Sequence, residues 1–202
     1  MGELIDTEVA ELVKGGALDQ AATKVLEAYG SELFGFLVNM VKSESDAGEV
    51  FSQTAEDLWK GLPKFGFRCS LRTWIYVLGR HAVSRYKRSP WNKGERRGGD
   101  SRIQSLADIA RSRTQPWQQT EIKDRFAVIR ATLDDEDRTL LTLRIDRDMA
   151  WEDVARVTLE TDDPDDGGLK RETDRLRKRF QILKGELRKR AIAAGIIDEQ
   201  ST

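Results

Sequence analysis

The 202-residue chain holds one cysteine, Cys69, and one histidine, His81. A single cysteine excludes an intramolecular disulfide framework and fits a reducing compartment. With one histidine beside it, a zinc site of the usual Cys/His kind is excluded, and no metal or other cofactor is expected. No apolar run approaches the roughly 18 residues of a membrane span. The opening MGELIDTEVAELVK is acidic where a secretory signal would be basic, so the expectation is a soluble cytoplasmic protein with no membrane segment. Alternating β-branched runs are also missing, while apolar residues recur at helical spacing almost throughout. The expected fold is all-α.

What is abundant is charge, and it is segregated. Residues 1–62 carry 4 basic and 12 acidic side chains, net −8; residues 63–113 carry 13 and 3, net +10. Residues 114–168 carry 7 and 15, net −8, and residues 169–202 carry 10 and 5, net +5. Solvated helix faces would give a mixed surface. Two basic blocks separated by an acidic one point instead to two contacts with a polyanion, most simply nucleic acid.

Helices are expected over 7–14, ended by Gly15-Gly16, over 18–42, over 45–62, stopped by Pro63, and over 71–88. In the second of these, Ala22, Val25, Leu26, Tyr29, Leu33, Phe36, Leu37 and Met40 should face inward. Residues 89–102 (SPWNKGERRGGDSR) lack periodicity and read as a flexible linker, with a weak helix, IQSLADIA, before Pro116. Further helices are expected at about 118–132, 135–146, 150–159 and 169–193. The organisation is therefore two small helical domains, 1–88 and 117–202, joined by a linker over 89–116.

Two stretches carry basic chemistry. In LRTWIYVLGRHAVSRYKR, Leu71, Trp74, Ile75, Leu78, Ala82 and Tyr86 form a buried stripe, with His81 at its boundary. Arg72, Tyr76, Arg80 and Lys87 fall on the other side, where cations meet phosphates and an aromatic ring stacks on an unpaired base. The preceding loop holds Phe65, Gly66, Phe67 and Arg68, which suits either a base clamp or a pair of core plugs. In the second stretch, Asp134 and Asp137 have the spacing of a helix cap. After an acidic turn, Leu169, Thr173, Leu176, Phe180, Leu183 and Leu187 make one stripe, with Lys170, Arg171, Asp174, Arg175, Lys178 and Gln181 away from it. Short helices followed by a long basic one favour a helix-turn-helix over a basic coiled coil.

In this order and spacing, the motifs resemble those of bacterial RNA polymerase sigma factors of the extracytoplasmic-function type. SLRTWIYVLGRHAVSRYKR is similar to that family's S-F-R-T-W-L-Y-x-I-A-R-N pattern and the basic run after it. DAGEVFSQTAEDLW lies where the family has D-A-E-D-L-V-Q-E-T-F-x-x-x-W. LDDEDRTLLTLRIDRDMAWEDVARV follows the L-P-x-x-x-R-x-x-L-x-L-R…G-x-S-Y-E-E-I-A pattern more loosely. The resemblance covers about residues 20–88 and 118–190.

It implies a non-enzymatic protein whose partners are core RNA polymerase and promoter DNA. Asp46, Glu49, Gln53 and Glu56 would dock on polymerase. Phe67, Arg68 and Ser70, with Arg72, Tyr76, Arg80 and Lys87, would bind and open the −10 element. Lys170, Arg171, Asp174, Arg175 and Lys178 would read the −35 element. Two departures from the pattern matter. The turn 161–168, TDDPDDGG, is long and acidic, and Gly48 and Gln53 stand where the family has acids. A kinase-regulated subset of the family resembles this depletion, which makes Thr54, and next Ser52, candidates for restoring charge by phosphorylation. Control would then lie with a Ser/Thr kinase rather than an anti-sigma factor. Two other functions fit the same residues: a helix-turn-helix regulator acting without polymerase, and a polymerase-binding decoy.

Overall fold

The computed structural model describes residues 2–88, 128–159 and 163–197. The expected linker, the weak helix at 103–110 and most of the helix expected at 118–132 lie outside them. Among the described residues every regular element is helical. No helix among them is long and apolar enough to cross a membrane. The chain divides into two compact units, Met1–Gln115 and Pro116–Thr202.

The first unit contains α1 (Gly2–Lys14), α2 (Leu18–Val41), α3 (Glu44–Gly61) and α4 (Leu71–Arg88). α1 starts five residues earlier than its sparse apolar pattern suggests. Thr7 Oγ1 donates to the Glu3 carbonyl (2.9 Å), and Glu8 pairs with Lys24 of α2, so polar contacts extend it. Gly16 ends it at φ +75°, a left-handed conformation that glycine takes without strain. Ser43 caps α3 by accepting from the Asp46 amide (3.2 Å). Pro63 sits in a short 3₁₀ turn, Leu62–Lys64, that closes α3.

All eight residues expected inward on α2 are buried. Its apolar arc meets α3 through Phe34 and Phe51 (ring centroids 6.0 Å apart) and α4 through Phe36 and Tyr76 (5.2 Å). α2 and α4 approach so closely that a Cβ on Gly79 would sit 2.9 Å from Leu33 Cδ1. Because α1, α2 and α3 all pack on α4, residues Thr73–Gly79 are buried without a break. A single buried stripe on this helix is therefore the wrong picture for its first half.

In the second unit, a helical segment at 128–131 leads to α5 (Asp135–Leu141), a π-helical turn (Thr142–Asp146), α6 (Trp151–Thr158) and α7 (Asp166–Ala193). Asp134 caps α5, accepting from the Asp137 amide at 2.7 Å. The expected helix 135–146 changes pitch at Thr142. The wider turn brings Asp146 onto Arg130 in a bidentate pair (2.7 and 2.9 Å), and Arg144 donates to the Met149 carbonyl (2.8 Å). α7 begins at Asp166, ahead of the expected 169. Asp165 is its cap, accepting from Gly168 N at 2.7 Å, and Asp166 lies in its first turn, where acids favour the helix dipole. Part of the acidic turn is thus the start of the helix. α6 packs on α7 through Trp151 and Phe180 (5.4 Å, edge to face), with Val154, Val157, Leu176 and Leu183 buried.

Candidate nucleic-acid and polymerase interface

The loop before α4 is an aromatic ladder. Phe65 stacks on Trp74 (4.2 Å, 14° between planes), and Phe67 leans on Phe65 (4.7 Å). Phe67 is 39% exposed and holds φ +51°. The left-handed strain falls on this aromatic residue rather than on Gly66, which costs about 1 kcal/mol or more and places a ring at the solvent end of the ladder. Such a ring offers a face to an unpaired base. Ser70 has a structural role: its Oγ accepts from Thr73 N (3.1 Å), capping α4, and lies 2.9 Å from Thr73 Oγ1. Asp6 of α1 also accepts from the Leu71 amide (3.3 Å), and burial raises its pKa more than that bond lowers it.

The cations expected along the strand separate into distinct groups. Arg68 and Lys87 are exposed. Arg80 is half-buried, and its Nε has no hydrogen-bond partner among the described residues. Arg72 is committed elsewhere: Nε and Nη2 hold the two oxygens of Glu32 at 2.7 and 2.9 Å. Tyr76, expected on the exposed face, is 0% exposed, so it is a core residue and not a base-stacking one. The reason is the helices packed on either side of α4.

The acidic face of α3 is likewise partly used inside the unit. Asp46 accepts from the Tyr86 hydroxyl, and the phenol pKa is pushed up to about 12, by burial first and then by that bond and the nearby acids. Asp57 pairs with Arg85 and accepts from Gln53 Nε2 (3.2 Å). Glu49 is half-buried, and Glu56 is exposed with Lys60 at 2.5 Å. Thr54 is 0% exposed and its hydroxyl donates to the Val50 carbonyl at 2.7 Å. That overturns its place as the leading acceptor for a kinase, since the hydroxyl fills the α3 core face. Ser52 is half-buried, with its hydroxyl on the Gly48 carbonyl (3.0 Å).

On α7, Lys170, Arg171, Asp174, Arg175, Lys178 and Gln181 are all exposed, as the stripe requires. Asp174 pairs loosely with Arg177 (3.7 Å). Arg175 is held by two carboxylates, Glu172 (2.8 and 2.8 Å) and Glu136 of α5 (2.5 Å). Thr158 of α6 also donates to Glu172 (3.0 Å), tying α6 to α7. Glu32, Asp57, Glu136 and Glu172 thus hold candidate residues or their helices in place although no motif singled them out, and Tyr86, expected on the buried stripe, bonds Asp46. Only Glu172, three residues from Arg175, had a spacing that signals a pair.

The Arg175 bonds hold Glu172 below the usual carboxylate range; burial opposes them, and Thr158 assists. Its folded pKa lies below its unfolded value of about 4.3, so its contribution to stability is present above that pH and is lost as pH falls through the lowered folded value. Acid unfolding of the second unit, followed by circular dichroism, is therefore expected to lose part of its slope below about pH 4 in Glu172→Gln.

The class that the described residues define is all-α, with an exposed aromatic ladder at the foot of one helix and a long basic helix behind a short one in the other unit. Residues 25–92 match the family model for Sigma-70 region 2, so the first unit carries a Sigma-70 region 2 domain. The match runs from within α2 through α4; α1 and the second unit lie outside it. No curated protein and no solved structure gives a significant match to the chain.

Proposed function

We propose that the chain is a sigma factor of the extracytoplasmic-function type, which binds core RNA polymerase, recognises a promoter and opens its −10 element. The observation that carries the reading is the Sigma-70 region 2 match laid over a strained, exposed Phe67 on the Phe65–Trp74 stack. In this reading residues 1–88 dock on polymerase and melt DNA, residues 89–116 connect, and residues 117–202 bind the −35 element. Phe67 and Arg68 hold the flipped base; Ser70 positions their loop by capping α4. Arg80 and Lys87 follow the strand, and Lys170, Arg171 and Lys178 face the major groove. Glu49 and Glu56 supply the acids for polymerase, with Asp46 and Gln53 ordering α3 against α4. Arginines on the polymerase side would meet these carboxylates in charge-assisted hydrogen bonds.

Phosphorylation would add about −1.5 to −2 charges to this acid-poor helix. Ser52 is the more accessible of the two hydroxyls and becomes the preferred acceptor. The test combines purified core polymerase, the chain with and without kinase treatment, and a library of random promoter sequences read by run-off transcription. Sequence-selective initiation is expected, with Phe67→Ala lowering it at least tenfold. DNA binding without initiation would instead indicate a regulator, and polymerase binding without DNA a decoy. Ser52→Ala should abolish any gain from kinase treatment; a gain that survives it rules out Ser52.

A further inference from the structure

Arg175 is the best-placed cation on the outer face of α7, yet its guanidinium is already occupied. Glu172 accepts from both Nε and Nη2 at 2.8 Å, which uses the side-on fork. Glu136, reaching across from α5, takes Nη2 again at 2.5 Å, which uses the nitrogen shared with the end-on fork. Of the five guanidinium N–H groups, only the two on Nη1 remain, and Nη1 has no hydrogen bond among the described residues. Bidentate reading of a guanine edge needs two neighbouring nitrogens, and the clamp leaves one. Two carboxylates around one cation also leave this patch net negative, beside the exposed Lys170, Arg171 and Lys178.

We propose that Glu136 is an affinity-setting residue for the helix-turn-helix: with Glu172 it clamps Arg175 so that the arginine offers duplex DNA a single nitrogen, and its charge meets a backbone phosphate only when the pair with Glu136 opens. The inference rests on the reading that α7 faces DNA. Glu136 lies outside the motif's two helices, so it changes DNA binding without touching DNA. Its side chain is 47% exposed and that of Arg175 is 50% exposed, so the pair is weak enough to exchange with a phosphate. Releasing Nη2 adds one phosphate contact, and each such contact steepens the dependence of log affinity on log salt by about 0.9.

The test is fluorescence anisotropy of the full chain on a labelled random-sequence duplex between 50 and 200 mM salt. Glu136→Gln is expected to bind about 3–10-fold tighter at the low-salt end, with a slope steeper by about one contact. Arg175→Ala should cost more in the Glu136→Gln background than in the wild type, which separates release of Arg175 from the general effect of removing a negative charge. Unchanged or weaker binding by Glu136→Gln, or an Arg175→Ala cost equal in both backgrounds, overturns the proposal. Lys170→Ala and Lys178→Ala report on the underlying reading. If both leave wild-type binding unchanged, α7 does not face DNA and the clamp proposal falls with that reading. If they weaken binding while Glu136→Gln does nothing, the clamp alone is wrong.

Discussion

Tyr76→Ala is expected to destabilise the first unit by about 3–5 kcal/mol, the cost of emptying an aromatic side chain's space in a packed core. The ring is fully enclosed and meets Phe36 edge to face at 5.2 Å. Removing it takes away that contact and leaves a cavity where α2 and α4 cross. Tyr76→Phe keeps the packing and should stay within about 1 kcal/mol of the wild type. Urea unfolding monitored by the amide signals of α4 would measure both. The paired result decides between core and surface roles for a residue whose sequence position suited base stacking. A stably folded Tyr76→Ala that loses single-strand binding would return Tyr76 to the surface. Phe67→Ala should behave in the opposite way, leaving stability nearly unchanged because its ring is at the solvent end of the ladder.

The bounds of α4 were legible because Leu71 and Arg88 delimit an apolar period ended by a basic run. The cap at Asp134 was legible because its acceptor and the Asp137 amide are three residues apart. Local periodicity and local hydrogen bonds are written in adjacent residues. The burial of Tyr76 is not, because it depends on how many helices arrive on α4, and a stripe drawn on one helix assumes a single neighbour. Pairings are hidden for a related reason. Glu32 and Arg72 are 40 residues apart, Asp57 and Arg85 28, and Asp137 and Arg179 42. With acids and bases so numerous, composition gives their signs without giving their partners.

Those pairings also change what the charge blocks mean. The acidic block 1–62 supplies Asp6, Glu32, Asp46 and Asp57 to α4, which opens from the basic block after it. The acidic block 114–168 supplies Glu136 and Asp137 to α7, which extends into the basic block after it. Among the described residues of each unit, acids of one block thus bond to a helix that lies in or runs into the basic block after it. In the proposed reading, exposure then ranks the cations: Arg68 and Lys87, and on α7 Lys170, Arg171 and Lys178, lie at the surface, whereas Arg72 is held by Glu32.

Neighbouring acids of α5 then divide into opposite roles, and exposure decides which. Asp137 is 4% exposed at its side chain and holds Arg179 through Nε (2.7 Å) and Nη2 (2.5 Å). Asp137→Ala leaves that guanidinium without its carboxylate and also cuts the tie between α5 and α7. Breaking a fully buried pair from one side costs about 3–5 kcal/mol; Arg179 keeps about a third of its exposure, so about 2–3 kcal/mol is expected here. Urea unfolding of the second unit measures it. Replacing both partners together, Asp137→Leu with Arg179→Met, should recover much of the loss, since an apolar pair leaves no stranded charge. Glu136→Gln, one residue earlier, should cost less than about 1 kcal/mol because its pair with Arg175 is half in water. Equal losses at the two positions would mean that burial does not separate them, and the assignment of Asp137 to the fold and Glu136 to DNA binding would fail.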